Sequence, residues 1–336
     1  MPKLYIGSRE VTPAIAKGSA INNQDKTITE NGVYTADDGY TGLGEVTVNV
    51  SGGSSTGITR EVSSTGVYQM PKENFTFSLP SNATNVGAYA MQRAFYHCTG
   101  ITSADLSSLT TISGEEALDN AFSSCSNMVN VDLSNLTTVS GYSSMSNAFY
   151  YCQNLATLNL SNLTTVTNTY AMQAAFSSCS SLTSVDLSSL TTISGSNTMN
   201  STFISNTQLT TVDLSSLTTI DGFSAAQSIF QNCSNLTSVD LSSLSTITGA
   251  YAMGSAFYNC NSLKTLSFPS LTSTGVGSNN GQFWYMLYGV TGCTVHFPSN
   301  LEEVIGSWSD VTAGFGGTNT TVLFDLPRTE GHITPV

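Results

Sequence analysis

Leu182-Thr183-Ser184-Val185-Asp186-Leu187-Ser188-Ser189-Leu190-Thr191-Thr192-Ile193-Ser194-Gly195 is the stretch that decides the fold. Val185 and Leu187 alternate with Ser184, Asp186 and Ser188, the period of two of a short strand with one buried face. Beyond the strand the apolar residues widen to every third position, Leu187, Leu190 and Ile193, which turns the chain around a core. Gly195 then supports a turn. The pattern returns at a constant interval in both directions. Leucines stand at Leu79, Leu106, Leu133, Leu160, Leu187, Leu214 and Leu241, with Phe268 next, each 27 residues after the last. Phenylalanines keep the same step at Phe95, Phe122, Phe149, Phe176, Phe203, Phe230 and Phe257, and Trp284 extends the series. A third register runs Met91, Leu118, Met145, Met172, Met199, Ala226 and Met253. Independent registers held over seven periods identify a repeat architecture.

A strand that recurs every 27 residues is expected to run parallel to its predecessor, because the rest of the unit supplies the long connection that parallel pairing needs. Apolar residues four apart, Met199 and Phe203, suit a short helical turn on the return path. One unit cannot bury its apolar face alone, so neighbours must stack. The expected fold is a repeat solenoid of 27-residue coils, leucine-rich, with parallel β-strands and short helical or irregular convex segments.

The chain has 336 residues, of which 9% are charged, against roughly 25% in ordinary soluble domains. Ser, Thr, Asn and Gly fill the gap. The balance is acidic, 9 Lys and Arg against 22 Asp and Glu, and no Lys or Arg occurs between Arg93 and Lys264. Such a surface repels phosphate backbones, which argues against nucleic-acid binding, and it disfavours anionic membranes. The start, Met1-Pro2-Lys3-Leu4-Tyr5-Ile6-Gly7, lacks the apolar run of a signal peptide. No stretch approaches the roughly 20 apolar residues of a membrane span, so no membrane insertion is expected. Leu326-Pro327-Arg328-Thr329-Glu330 is similar to a sortase cell-wall signal, but Glu330 stands where Gly is needed and no apolar tail follows. The chain is therefore expected to be made in the cytoplasm and to leave, if it leaves, by another route.

Residues 1–50 do not follow the period. Val46, Val48 and Val50 alternate with Thr47 and Asn49 as a strand would, and Asp38-Gly39 offers a tight turn before them. This block reads as a small β anchor module, and Ser51–Gly57 as a flexible Gly/Ser linker. The solenoid is assigned to residues 58–283. Residues 284–326, with Trp284, Tyr285, Tyr288, Phe297 and Trp308, read as a C-terminal cap over the open end. Residues 327–336 read as a tail.

Three columns carry chemistry-bearing side chains. Cys98, Cys125, Cys152, Cys179, Cys233 and Cys260 share one register, with Asn206 at the remaining rung. One Cys per coil lacks the clustered spacing of a metal site, so the column reads as buried thiols filling the core. Cys293 lies outside the series and reads as structural in the cap. Asp105, Asp132, Asn159, Asp186, Asp213 and Asp240 form a second column, pointing outward between two inward residues. Adjacent rungs lie about 4.8 Å apart, so paired carboxylates repel by roughly 1 kcal/mol in water. Solvation, raised pKa values or bound Ca²⁺ could absorb that repulsion; solvation beside the serines is the favoured reading, and no cofactor is required. The wider grid, Ser103/Asp105/Ser107, Asn130/Asp132/Ser134, Ser184/Asp186/Ser188, Thr211/Asp213/Ser215 and Ser238/Asp240/Ser242, is the candidate binding face. Short polar side chains there suit hydroxyl-rich partners. Tyrosines gather instead beside the Phe series, at Tyr89, Tyr96, Tyr142, Tyr150, Tyr151, Tyr170, Tyr251 and Tyr258, and about half are expected to be exposed. His97, His296 and His332 lie far apart with no nucleophile motif beside them, and the glycines form no phosphate-binding pattern. No catalytic or metal-binding residue is assigned, and an enzyme is not expected.

The unit Ala121-Phe122-Ser123-Ser124-Cys125-Ser126-Asn127-Met128-Val129-Asn130-Val131-Asp132-Leu133 resembles the BspA-like leucine-rich repeats, over roughly residues 75–290. The unit here is longer than the commonest BspA-like one, and Thr-Thr often stands in place of the usual Pro before the turn. The resemblance implies a surface or secreted adhesion protein. The stretches Met1–Gly7 and Ile28-Thr29-Glu30-Asn31-Gly32-Val33-Tyr34 are similar to the leading segments of tail or other virion proteins in phages of Gram-positive bacteria. That likeness implies a virion-associated fibre or receptor-binding protein. Residues 1–50 would then contact other virion proteins while the solenoid reads a glycan or protein receptor, in a homo-oligomer. The alternatives are a bacterial surface or secreted adhesin and a passive virion decoration protein.

Overall fold

The computed structural model describes residues 75–79, 83–272, 274, 281–302 and 315–327, and the backbone of six short strands in the first 61 residues. Those six are β1 (Leu4–Ile6), β2 (Arg9–Val11), β3 (Lys26–Ile28), β4 (Gly32–Tyr34), β5 (Glu45–Asn49) and β6 (Gly57–Glu61). β1 and β2 pair antiparallel, as do β4 with β5 and β5 with β6. The strand expected at 46–50 is thus present as β5. The N-terminal set runs past the expected boundary at residue 50, because β6 completes its ladder. The Asp38-Gly39 turn and residues 51–56 of the expected linker lie outside the described residues, while Gly57 opens β6.

The repeat forms a three-sided solenoid. The first side is a parallel sheet of β7 (Phe75–Ser78), β8 (Ile101–Asp105), β10 (Asn130–Asp132), β12 (Thr157–Asn159), β14 (Ser184–Asp186), β16 (Thr211–Asp213) and β18 (Ser238–Asp240). β3 pairs parallel onto its first strand, β7. From β10 onward each strand is offset by 27 residues, Val131 opposite Leu158 and Val185 opposite Val212. The second side is a sheet the period-two pattern does not announce: β9 (Thr111–Ile112), β11 (Thr138–Val139), β13 (Thr165–Thr167), β15 (Thr192–Ser194), β17 (Thr219–Asp221) and β19 (Thr246–Thr248). Just before it, one Thr in each coil, replaced by Ser245 in one of them, donates both its N–H and its hydroxyl to a carbonyl of the previous coil. Thr191 does so to Thr164, at 2.9 and 3.0 Å. Pro has no N–H to donate, which explains the Thr-Thr pair.

The third side is where Met199 and Phe203 lie, and it holds turns rather than a helical turn. In the coil that begins at Gly87, Tyr89, Met91, Arg93, Phe95 and His97 donate N–H to carbonyls of the next coil. The intervening Ala90, Gln92, Ala94, Tyr96 and Cys98 donate three residues back. Tyr89, Arg93 and His97, every fourth residue, have positive φ, and the same register repeats down the stack. A helix would close all these bonds within one coil. Here half of them tie coils together, so all three sides are ladders.

Inside, the Phe column stacks face to face. Neighbouring rings from Phe95 to Phe257 lie 5.1 to 5.8 Å apart and within 16° of parallel. At the corner between the second and third sides, backbones of successive coils touch. A Cβ on Gly222 would lie 2.5 Å from the Gly195 carbonyl oxygen, and Gly222 has φ of 117°.

The column breaks after Phe257. Trp284, 27 residues on, does not enter it: the indole is 47% exposed. The lengthened coil places Phe283 and Leu287 inside, and the Phe257 N–H meets the Met286 carbonyl. β21 (Thr294–Pro298) and β22 (Thr321–Leu326) then add parallel strands to β20 (Thr265–Ser267), with Phe297 stacked on Phe268 at 5.1 Å. The segment expected as a cap therefore continues the coil geometry, with β22 as the last described strand. Trp308 and residues 328–336 of the tail lie outside the described residues.

Candidate functional site

The outer face of the first sheet brings the expected grid together. Asp132 is paired with Asp105, Asn159 with Asp186, Asp186 with Asp213 and Asp213 with Asp240. Asp105, Asn159, Asp186, Asp213 and Asp240 are exposed, and Asp132 is half-buried. The flanking Asn130, Thr157, Ser184, Thr211 and Ser238 are exposed as well. A shallow groove of about 640 Å³ runs over Ser184, Asp186, Asp213, Asp240 and Ser242, and a second of about 380 Å³ over Asn130, Asp132, Thr157 and Asn159.

Each column residue also has a local task. One Oδ1 accepts the backbone N–H two residues on: Ser107 to Asp105 at 3.0 Å, Ser134 to Asp132 at 2.9 Å and Ser161 to Asn159 at 3.0 Å. Ser188 does the same to Asp186 at 3.0 Å, and Ser215 and Ser242 to Asp213 and Asp240 at 2.9 Å. This Asx turn ends the strand and starts the bend toward the second side. It needs an acceptor oxygen and no charge, which is why Asn159 serves among aspartates. Ser107 alone adds its hydroxyl, at 2.6 Å from Asp105. The column is thus half scaffold, and Asp186, Asp213 and Asp240 keep exposed surface for solvent or a partner. Among the described residues no group of three or more His, Cys, Asp or Glu is arranged to hold a metal ion.

The cysteines lie in the core as free thiols. Cys125, Cys152, Cys179, Cys233 and Cys260 each direct Sγ at the carbonyl of a Phe in the previous coil, at 3.0 to 3.3 Å. Burial pushes the Cys152 and Cys233 thiols up to about 12 and Cys293 to about 11. A thiol so protonated is a poor nucleophile and metal ligand. His97 and His296 sit on different sides; His296 Nδ1 lies 2.9 Å from Asp325. His332 falls outside the described residues. No helix among the described residues is long and apolar enough to cross a membrane.

Of the eight tyrosines singled out, Tyr89, Tyr96, Tyr142, Tyr150 and Tyr151 are exposed, while Tyr170, Tyr251 and Tyr258 are half-buried. Sequence reasoning missed what joins them near the C-terminal end. Phe223, Trp284, Tyr285 and Tyr288 are exposed on the turn side with Tyr251 and Tyr258 between them. Counting on at 27 put Trp284 in the core and hid this group. The signal that would have found it is the three-residue delay of Phe283 behind the Met253 register.

No curated protein matches this chain. Among solved structures it is similar to a leucine-rich repeat protein from Bacteroides ovatus, at 16% identity and a TM-score of 0.22, covering 83% of this chain and 98% of that one. It is also similar to a leucine-rich cell surface protein from Faecalibacterium prausnitzii, at 16% identity and a TM-score of 0.23, covering 90% and 95%. The model of the BspA type leucine rich repeat region matches residues 67–173, 90–224 and 145–279, more than half of the sequence. With the 27-residue ladders and the Ala-Phe-x-x-Cys unit already in place, that match makes the chain a member of the BspA-type leucine-rich repeat family.

Proposed function

We propose that the chain is a non-enzymatic adhesion protein that holds a cell-surface partner through its solenoid. The observation that carries this reading is the repeated outer grid: the same short polar side chains recur once per coil, at fixed spacing, on strands locked by a ladder on every side. Such a surface is preorganised for many weak contacts, and rigid presentation lowers the entropic cost of binding. Asp, Ser, Thr and Asn side chains there present acceptors and hydroxyls without a nucleophile and base in reach. The test is retention of the purified full chain on whole bacterial and host cells, read by flow cytometry. Wild-type protein that stays in the supernatant of every cell type would sink the reading. An Asp186→Asn/Asp213→Asn variant keeps the Asx turns and removes two charges, so it isolates the part the carboxylates play in contact.

The finer reading places the chain on a phage particle, anchored by the N-terminal segment. Its support is the likeness of Met1–Gly7 and Ile28–Tyr34 to virion proteins, together with the antiparallel set β4–β6, which differs in kind from the parallel stack. Deleting residues 1–61 should abolish incorporation into purified virions while the remaining solenoid still folds. Full incorporation of the truncated chain would leave the surface-adhesin reading.

A further inference from the structure

We propose a second binding surface, on the turn side of the last coils, that takes a neutral polysaccharide by stacking sugar rings on an aromatic platform. The proposal rests on the adhesion reading and names a partner chemistry for it, at a site away from the Asp/Ser grid.

Six rings touch in one unbroken run across three coils. Phe223 meets Tyr251 at 5.9 Å between centroids, Tyr251 meets Trp284 at 5.4 Å, and Trp284 meets Tyr285 at 4.7 Å. Tyr285 meets Tyr288 at 5.6 Å, and Tyr288 stacks on Tyr258 at 4.8 Å. Phe223 is 52% exposed, Trp284 47%, Tyr288 46% and Tyr285 39%. Soluble proteins seldom leave such a contiguous aromatic patch bare without a use for it. The patch is also built. Gly281, at φ of 60°, leaves room that a Cβ would take 2.8 Å from Tyr251 Cε1. A Cβ on Gly316, at φ of 70°, would lie 2.9 Å from Tyr285 Cδ1. Both glycines seat the rings, so the platform is fixed before any partner arrives.

Charge selects the partner. The turn side carries no charged residue in residues 141–151, 168–178, 195–205, 222–232, 249–259 or 281–291. The charges that flank it are one of each sign: the exposed Asp221 beside Gly222, and Lys264, whose Nζ donates to the Thr291 carbonyl at 3.1 Å. Neither an anionic nor a cationic polymer therefore finds a matched surface, and rings this exposed offer a surface rather than a slot for an acyl chain. Beside the rings lie amides and hydroxyls: Asn259 Nδ2 bonds Asn232 Oδ1 at 2.9 Å, and Ser228 and Ser255 are half-buried next to them. Flat apolar faces interleaved with amides and hydroxyls complement sugar rings, whose C–H faces alternate with hydroxyls. The three coils lie on the order of 10 Å apart from first to last, enough for two or three sugar units in a row.

The experiment uses the full chain and a panel of neutral polysaccharides (β-glucan, α-glucan, mannan and galactan), with affinity gel electrophoresis and pull-down on the insoluble forms. Wild type should be retained by at least one of them. Trp284→Ala and Tyr288→Ala should each weaken retention by about tenfold or more, as truncating an aromatic anchor does. Trp284→Phe should keep most of it, and Val129→Ala, at an exposed apolar residue outside the platform, should bind as wild type. Circular dichroism and melting of each variant check that the solenoid is intact. No retention by any neutral glycan, with cell binding undiminished, overturns the proposal and leaves the adhesion reading standing. Retention that survives Trp284→Ala and Tyr288→Ala overturns it as well. So does self-association in sedimentation that Trp284→Ala abolishes without any effect on glycan, since the platform would then be a contact between copies of the chain.

Discussion

At the scale of single residues the core tests its own rule at Asn206. Every described coil but this one in the column from Cys125 to Cys260 points a thiol at the Phe carbonyl of the previous coil. Asn206 points its Nδ2 at the Phe176 oxygen, at 3.1 Å, and is fully buried. Its Oδ1 then has no partner. A buried acceptor left unpaired costs about 1–3 kcal/mol. Asn206→Cys should therefore raise stability by about that amount in urea unfolding, and a lower midpoint would refute the account. The thiols themselves predict an alkaline limit. Folding raises the Cys152 and Cys233 pKa from about 9 to about 12, because burial penalises the thiolate. Between those values the folded chain holds protons that the unfolded chain has released. The stabilisation is thus complete below pH about 9 and is lost as pH rises toward 12, at up to about 1.4 kcal/mol per pH unit for each thiol. The melting temperature should hold steady to about pH 8.5 and fall steeply above it, and a Cys152→Ala/Cys233→Ala variant should fall less steeply. An equal slope in the two proteins would assign the loss to other groups.

At the scale of the element, the corner shows why some of the fold was legible and some was not. The strand Ser184-Val185-Asp186 announces itself because one residue is buried and its neighbours are not. The second sheet does not, since Thr-Thr-Ile is too short to show a period of two. Its evidence lies in bonds between coils, which no single coil displays. The turn side misled for a similar reason: apolar residues four apart fit a helix and fit a run of turns equally well. Only the destination of the N–H groups separates the two. The glycine corner was legible as a turn and not as a contact. Gly222 stands at φ of 117° with backbone of the preceding coil where its Cβ would go. Gly222→Ala meets both strain and overlap and should cost about 3 kcal/mol. Asn168 fills the same register at φ of 82°, its Nδ2 bonding the Ser140 carbonyl at 3.0 Å and its Oδ1 accepting the Thr169 N–H at 2.8 Å. Asn tolerates this conformation better than other side chains because of such local bonds. Asn168→Gly should change stability far less than Gly222→Ala in the same denaturation assay, and a similar cost for both would discredit the corner argument.

At the scale of the whole molecule, the repeat was readable because stacking demands it. Each coil lies on the next through three ladders and a column of Phe rings, so a side chain of the wrong size or polarity disturbs two neighbours. The candidate grid was readable for the same reason, as an outward column held by the strand register. The aromatic platform was not, because a lengthened coil shifts every position after it and a fixed count of 27 cannot see the shift. The same reasoning predicts what the stack tolerates. Removing residues 169–195 deletes one whole coil and joins Asn168 to Ser196, so a corner residue still precedes the turn side. Val166 would then lie next to Ile220, and Phe149 next to Phe203, each pair already alike in size. Stability in such a stack is the sum of coil and interface contributions. The shortened chain should keep its circular dichroism per residue and melt in one transition, somewhat below the wild type. Removing residues 169–194 instead leaves one extra residue, and every later side chain on the first sheet turns to the wrong face. That chain should lose the cooperative transition. If both deletions melt alike, the coil register is not what holds the solenoid together, and the ladders described along its three sides are decoration on a fold sustained by something else.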